Sequence, residues 1–278
     1  MVVIDAARSG TNMLRDALCA LPGFTTWPCD EINYLWRHGN VRTPHDELAP
    51  EQATPRVRRY LRRQFARRTC ADHHVVEKTC ANPLRVGFVD RVLPEAKFVW
   101  IVRDGRDAVP SARQRWRAKL ALGYAAAKAR FIPPSDIPYY AARHFARRVL
   151  RLWSADGQVA SWGPRQRDMD ALVATRPLRE VCALQWRRRV EQAADDFAML
   201  DSARVHRLGY EDFVASPATH LADIAAFAGR PANDADVRAA VSHVVPEKAA
   251  APRALLTHEE HAQLEALVAP VLAVHGYG

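Results

Sequence analysis

An apolar segment followed by a glycine-containing polar loop stands near the start of the chain. Val2-Val3-Ile4-Asp5 has the composition of a short buried strand, and apolar residues recur at helical spacing from Met13 to Leu21. The loop between them reads Arg8-Ser9-Gly10-Thr11-Asn12, in which Gly10 lets a ligand approach the backbone closely. Because the free amide groups at a helix start attract anions, this strand, loop and helix form a P-loop-like cradle for a phosphate or sulfate group.

Three further segments have the same arrangement of an apolar strand that ends in polar residues. We predict strands at 74–77, before Lys78-Thr79, at 97–102, before Arg103-Asp104-Gly105-Arg106-Asp107, and at 203–208, before Gly209-Tyr210-Glu211-Asp212. Helical patterns lie between and after them, at 51–69, at 83–93, from 108 onward and at 179–199. This alternation predicts an α/β fold with a central parallel sheet flanked by helices in a single domain, residues 1–278. The polar strand ends then border one crevice.

Two stretches lack this alternation. Residues 24–50 have a loop-like mixture of aromatic and polar residues, and residues 118–180 are the least regular part of the chain. We interpret 118–180 as a helical insertion over the sheet, where the pocket for a second substrate would form.

The basic surplus of the chain consists almost entirely of arginine. The formal net charge is +9, and of the 40 basic residues 35 are Arg and 5 are Lys, so a lysine inside a motif stands out. Such a surplus attracts nucleic acid, lipid headgroups or a small multiply charged ligand. Seven arginines fall between 56 and 68, on the predicted helix 51–69. They form either a solvated helix face or a docking surface for an anionic acceptor.

Cysteine and hydropathy patterns exclude several classes of protein. The five cysteines are scattered, without a CxxC pair or a Cys/His cluster, so neither structural zinc nor a disulfide framework is expected. No apolar run approaches the roughly 20 residues of a membrane span, and no signal-peptide pattern follows Met1. We therefore expect a reduced, cytoplasmic protein.

Two long motifs in sequence order give the chain a specific resemblance. Arg8-Ser9-Gly10-Thr11-x-x-Leu14 and Phe98-Val99-Trp100-Ile101-Val102-Arg103-Asp104-Gly105-Arg106-Asp107-Ala108-Val109-x-Ser111 are similar to the sulfotransferase superfamily. Three further segments match its bacterial members: Lys78-Thr79, Tyr210-Glu211-Asp212-Phe213-Val214-x-x-Pro217 and a Leu-Thr…Gly-Tyr C-terminal helix. The spacing of Arg103, Ser111 and Arg115 and the pair Asp30-Glu31 most resemble the tyrosylprotein-sulfotransferase-like branch.

The resemblance implies a donor and a set of residues that bind it. Such enzymes take the sulfuryl group from 3′-phosphoadenosine 5′-phosphosulfate, release 3′-phosphoadenosine 5′-phosphate and need no metal. Their first loop binds the 5′-phosphosulfate, and an Arg and a Ser eight residues apart bind the 3′-phosphate. The implied donor-binding residues are Arg8, Ser9, Gly10, Thr11, Asn12, Arg103, Ser111, Arg115, Tyr210 for the adenosine portion, and Lys248 or Arg253 in a C-terminal loop.

Sulfuryl transfer also needs a base for the acceptor proton and a cation that faces the leaving oxygen. Glu31 is the expected base, because similar enzymes place a catalytic Glu in this segment; Asp30, His73 and His74 stay open as alternatives. Lys78 is expected to neutralise the bridging oxygen as it departs. The expected acceptor is a hydroxyl of a small molecule or carbohydrate. Neither nucleic acid nor a membrane span is expected, and a homodimer stays open.

Other function classes share some of these features. A P-loop-type nucleotide kinase uses a similar cradle, but it needs Lys-Ser or Lys-Thr after the glycine and ligands for Mg²⁺, which the sequence lacks. A basic nucleic-acid-binding protein would account for the net charge of +9, yet no recognition motif is present. The intact Arg8–Thr11 loop, Arg103 and Ser111 disfavour a degenerate, non-catalytic homologue.

Overall fold

Within the residues that the structure describes, five parallel strands form one sheet at the centre of the molecule. The structure is a computed structural model, and it describes residues 1–6, 8–69, 73–117, 127–143, 145, 163–244 and 256–277. The strands are β1 (Val2–Asp5), β2 (Phe24–Thr26), β3 (His74–Lys78), β4 (Phe98–Val102) and β5 (Val205–Gly209). Their order is β2-β3-β1-β4-β5, and every neighbouring pair is parallel. The predicted parallel α/β fold is confirmed.

Helices cover both faces of this sheet. They are α1 (Thr11–Ala20), α2 (Asn33–Trp36), α3 (Pro55–Ala66), α4 (Val86–Val92), α5 (Gly105–Arg117), α6 (Met169–Thr175), α7 (Leu178–Ala198), α8 (Tyr210–Ala215), α9 (Pro217–Ala228), α10 (Asp234–Ala240) and α11 (His258–Val274). Short 3₁₀ turns lie at Pro50–Gln52, Asn82–Leu84, Pro134–Asp136 and Ser202–Arg204. In the described parts of the chain, no helix has both the length and the apolar character that crossing a membrane requires.

Alternate side chains of each strand pack on opposite faces of the sheet. Ile4 and Trp100 belong to a core cluster with apolar residues of α3, α4, α7 and α11. Val3 and Val99 belong to a second cluster with residues of α1, α8, α9 and α10. Because helices bury both faces, all five residues of β4 are buried and apolar, which is the pattern that marked this segment as a central strand.

Strand β2 and the start of helix α5 differ from the sequence prediction. Strand β2 lies in the segment 24–50, which the sequence predicts as a loop. With three residues it is too short to show a periodic pattern, and its pairing with β3 defines it. Helix α5 begins at Gly105 rather than at Ala108, because the Asp104 carboxylate accepts the Arg106 backbone N–H at 2.8 Å. A side-chain oxygen before a helix stabilises an earlier start in this way.

The predicted helical insertion at 118–180 is described only in part. Residues 118–126, 144 and 146–162 lie outside the described residues. The described remainder contains the turn Pro134–Asp136, α6 and the first residues of α7. That this segment shapes the pocket of the second substrate stays a prediction.

The chain path changes direction around β1, and this places a crevice at the carboxyl end of the sheet. From β1 the chain runs to the edge strand β2 and returns through β3, then crosses to the other side of β1 for β4 and β5. In open parallel sheets, ligands bind beyond the carboxyl ends of the strands at such a switch point. Asp5, Lys78 and Val102 end the three central strands, so the residues that follow them border the crevice.

A buried carboxylate holds the long connection between β2 and α3. Asp46 Oδ1 lies 2.8 Å from Arg37 Nη1 and 3.9 Å from Arg85 Nη1, and it accepts a hydrogen bond from Asn33 Nδ2 at 3.2 Å. The Arg165 backbone N–H donates to Asp46 Oδ2 at 2.8 Å. The side chains of Arg37 and Arg85 are 9% and 0% exposed, so both guanidinium groups depend on protein partners.

We expect Asp46→Ala to lower the free energy of unfolding by about 3 kcal/mol, since it leaves two buried guanidinium groups without their carboxylate. Urea unfolding followed by circular dichroism measures this loss. The control is Glu95→Ala, which removes an ion pair with Arg62 whose side chains are 46% and 60% exposed. This control should lose no more than about 1 kcal/mol. Equal losses in the two variants would contradict the structural role of Asp46.

Candidate active site

The loop after β1 has two residues in the left-handed backbone conformation. Arg8 has a φ of 79° and Gly10 a φ of 76°, on either side of Ser9. The Ser9 hydroxyl donates to the Ala6 carbonyl oxygen at 2.7 Å, and the Thr11 hydroxyl donates to the carboxylate at the end of β1 at 3.1 Å. Gly10 is also the N-cap residue of α1 and has no side chain to accept from the first N–H groups. These amides can therefore bind an anion.

Gly10 packs directly against the ring of Tyr210, the first residue of α8. A Cβ atom at Gly10 would lie 2.7 Å from Tyr210 Cδ2, so a larger residue would displace the ring in addition to straining the backbone. The Arg103 guanidinium carbon lies 4.4 Å from the centroid of the same buried ring. Tyr210 therefore joins the loop after β1 to the loop after β4.

Arg103 and Ser111 both contact Arg8. Arg103 Nη1 donates to the Arg8 carbonyl oxygen at 2.8 Å, and Arg8 Nε donates to Ser111 Oγ at 2.9 Å. Partial desolvation, together with the positive charges of Arg103 and Arg115, lowers the pKa of Arg8. Three guanidinium groups and a hydroxyl thus form a positive corner beside the β1 loop. Such a corner suits a doubly charged anion.

Glu31 lies between two lysine ammonium groups on the other side of the crevice. Lys78 Nζ, at the end of β3, is 3.7 Å from Glu31 Oε1, and Lys128 Nζ is 2.6 Å from Glu31 Oε2. The side chain of Lys78 is 3% exposed and that of Glu31 is 16% exposed. Burial raises the pKa of Glu31, but the charges of Lys78 and Lys128 outweigh it and lower the pKa to about 2. The carboxylate is therefore ionised at neutral pH.

A second carboxylate, Asp5, faces Lys78 from the end of β1. Its burial raises its pKa to about 7, although the charge of Lys78 and the hydrogen bond from Thr11 act in the opposite direction. Burial lowers the pKa of Lys78, but the neighbouring Cys80, Glu31 and Asp5 raise it overall. Lys78 is therefore a fixed cation in the middle of the crevice.

The alternative bases lie farther from this group. Asp30 pairs with Arg15 at 3.3 Å, and its side chain is 38% exposed. His74 is the first residue of β3 and pairs in register with Phe24, whereas Lys78 is the last residue of the same strand. Five residues of β-strand separate the two ends by about 13 Å. His73 and His74 therefore lie at the amino end of β3, whereas the crevice lies at its carboxyl end. Of these four residues, Glu31 is the one that pairs with Lys78 in the described part of the chain.

Of the other residues that the sequence predicts to bind the donor, two are described by the structure and two are not. Asn12 and Arg115 are exposed, in the first turn of α1 and one turn after Ser111 on α5. Lys248 and Arg253 lie outside the described residues, so the predicted C-terminal contact is without a structural description.

Two contacts in the site were missed from the sequence. Lys128 is one of only five lysines in the chain, and this rarity is the one sequence signal for its role beside Glu31. The Tyr277 hydroxyl lies 2.8 Å from the Val102 carbonyl oxygen and 2.7 Å from Glu211 Oε2. Glu211 Oε1 in turn accepts the Asp104 N–H at 3.2 Å. Tyr277 is therefore linked through Glu211 to the loop that carries Arg103.

Among the described residues, no three His, Cys, Asp or Glu side chains are grouped so that they could hold a metal ion. Among the described residues, the positive charges of the crevice come from the arginine and lysine side chains named above.

Solved structures that share this fold include sulfotransferases and a retinol dehydratase. The sulfotransferase domain from the curacin biosynthetic pathway has a TM-score of 0.56 and 12% identity over 96% of both chains. A sulfotransferase from Mycobacterium avium has a TM-score of 0.54 and 13% identity over 99% of this chain and 76% of its own. A retinol dehydratase in complex with androsterone and inactive cofactor PAP has a TM-score of 0.50 and 14% identity over 98% of this chain and 80% of its own.

Sequence comparison identifies the family. No curated protein sequence matches the chain. The profile of the family described as "Sulfotransferase family" matches residues 2–160 and 140–234, which include both the β1 loop and the Arg103 loop. The chain therefore belongs to the sulfotransferase family.

Proposed function

We propose that the enzyme moves a sulfuryl group from 3′-phosphoadenosine 5′-phosphosulfate to a hydroxyl of a small-molecule or carbohydrate acceptor. The observation that carries this proposal is the joining of Arg8, Arg103 and Ser111 in one positive corner next to the Gly10 cradle. A nucleotide with phosphate groups at both the 5′ and the 3′ positions can occupy both the cradle and the positive corner, whereas a nucleotide with a single phosphate chain can occupy only the cradle.

The residues present fit the proposed donor. The α1 amides and Gly10 would hold the 5′-phosphosulfate, and Arg103, Ser111 and Arg115 would hold the 3′-phosphate. Tyr210 supports both loops from one position and would border the adenosine. The retinol dehydratase with the same fold was solved in complex with inactive cofactor PAP, which supports the proposal.

The bound donor supplies the sulfuryl group, and the residues of the chain position it and control the proton. Glu31 takes the proton of the acceptor hydroxyl while that oxygen bonds to sulfur. Lys78 neutralises the electron pair left on the departing phosphate oxygen as its bond to sulfur breaks. In this proposal, Lys78 supplies the positive charge at the departing oxygen, and Arg103 supplies it at the 3′-phosphate.

The contact between Lys78 and Glu31 couples these two roles. Lys78 Nζ is 3.7 Å from Glu31 Oε1, and its charge is one cause of the low pKa of that carboxylate. An anion that pairs with Lys78 weakens its effect on Glu31 and raises the pKa of the carboxylate. Glu31 then becomes a stronger base when the donor site is filled.

Calorimetry with 3′-phosphoadenosine 5′-phosphate tests the donor site. We expect the wild-type protein to prefer this bisphosphate to adenosine 5′-phosphate. Arg103→Ala should weaken bisphosphate binding by roughly a hundredfold, since it removes a charge-assisted contact with the 3′-phosphate. Arg106→Ala is the matched control, because Arg106 pairs with Asp104 and Glu265. Equal affinity of the wild type for the two nucleotides would refute the assignment of Arg103.

Turnover tests the base. Glu31→Gln should keep donor binding and lower the rate by about 10² to 10⁴, because the amide keeps the size of the carboxylate but cannot take a proton. Release of 3′-phosphoadenosine 5′-phosphate, with an acceptor or by slow transfer to water, measures the rate. Asp30→Asn removes an equal charge one residue away and should keep turnover. The opposite pattern in the two variants would show that Asp30 is the base.

The ion pairs of Glu31 also predict a pH-dependent stability. The folded-state pKa of about 2 lies below the ordinary 4.5, so the ionised carboxylate stabilises the fold above about pH 4.5 and this contribution disappears as the pH falls towards 2. Glu31→Gln should therefore cost on the order of 3 kcal/mol at pH 7 and progressively less below pH 4.5. Urea unfolding of both proteins from pH 7 to pH 2.5 measures the difference. A difference that stays constant over this range would contradict the pairing.

A further inference from the structure

A cleft of about 370 Å³ outside the donor site combines aromatic rings with arginines. We name it the aromatic–arginine cleft and define it by Trp27, Tyr60, Arg67, Arg68, Arg130 and Phe131. The volume is within the range of small-molecule sites. Nothing in the donor site described above uses these residues.

Two residues of the cleft wall lie on the chain segments that carry Glu31 and Lys128. Trp27 precedes Glu31 by four residues, and Phe131 follows Lys128 by three. The rings of Trp27 and Phe131 meet edge to face with centroids 5.7 Å apart, while Lys128 Nζ contacts Glu31 Oε2 at 2.6 Å. A molecule that packs against these two rings therefore borders the chain segments that carry Glu31 and Lys128.

The cleft arginines have no carboxylate partner among the described residues. Arg67 and Arg68 directly follow α3, and Arg130 lies across the cleft. Arg67 donates a 3.5 Å hydrogen bond to Gln64 Oε1. The Arg68 guanidinium carbon lies 5.4 Å from the centroid of the Trp27 ring. Arg62, on the same helix, instead pairs with Glu95 at 2.8 Å. The lining of the cleft thus includes three arginines and no carboxylate, and the Asp136 carboxylate near Tyr60 lies 2.9 Å from His38 Nδ1.

We propose that this cleft binds the acceptor, and that the acceptor carries an anionic group such as a carboxylate, phosphate or sulfate on a flat apolar body, in addition to the hydroxyl that receives the sulfuryl group. This inference rests on the proposed function. The rings of Trp27 and Phe131 contact the apolar body, and Arg67, Arg68 and Arg130 pair with the anion. The hydroxyl then faces Glu31.

The arginines after α3 have a competing structural role, because cations stabilise the carboxyl end of a helix. Arg63 provides the matched control for this role. It lies in the last turn of the same helix, is exposed and does not line the cleft.

The experiment measures binding of two probes of equal shape, 3-(4-hydroxyphenyl)propanoate and its uncharged amide, to the full chain saturated with 3′-phosphoadenosine 5′-phosphate. We expect the carboxylate to bind about tenfold more tightly than the amide. The double variant Arg67→Gln/Arg68→Gln should lose this preference, whereas Arg63→Gln should keep it. Circular dichroism confirms that both variants fold.

The outcomes separate this inference from the proposed function. Equal binding of the two probes, no binding of either, or an equal effect of Arg63→Gln would overturn the inference while bisphosphate binding still supports the donor site. If the protein does not bind the bisphosphate but the probe preference depends on Arg67 and Arg68, the proposed function fails and the anion-binding cleft stands.

Discussion

A carboxylate buried in the middle of the protein fixes the geometry of the crevice. Glu77 is 1% exposed, and its two oxygens accept hydrogen bonds from Trp36 Nε1 at 3.1 Å, from Thr79 Oγ1 at 2.6 Å and from Asn82 Nδ2 at 2.7 Å. Thr79 Oγ1 also accepts the backbone N–H of Ile32, the residue after Glu31, at 3.2 Å. Burial raises the pKa of Glu77, and these donors oppose that effect. The network joins the end of β3 to the segment that carries Glu31.

The consequence is that two rigid parts of the fold meet across one crevice. On one side, Glu77 and its partners set the distance between Lys78 and Glu31. On the other side, the ring of Tyr210 packs between Gly10 and Arg103 and leaves no room for a side chain at position 10. Groups that are fixed by packing and hydrogen bonds need no rearrangement when charge develops in the transition state. Such fixed positions are the main requirement for the transfer of a group between two oxygens.

The sequence predicted the parts of this arrangement that depend on neighbouring residues. The apolar run of β4 and the polar residues after β1, β3 and β4 could be read directly, because strands end where apolar runs end. Strand β2 could not be predicted, since three residues are too few for a periodic pattern and pairing with β3 defines the strand. The contact of Lys128 with Glu31 spans 97 residues and that of Tyr277 with Val102 spans 175, so no local pattern contains them. Tertiary packing alone brings these groups together.

A crystal structure of the protein with 3′-phosphoadenosine 5′-phosphate is the most direct test of the idea that the polar strand ends form one donor site. We expect the 5′-phosphate on the amides that follow Gly10, the 3′-phosphate between Arg103 and Ser111, and Lys78 between the 5′-phosphate and Glu31. A nucleotide bound elsewhere, or one whose 3′-phosphate makes no contact with Arg103 or Ser111, would contradict it.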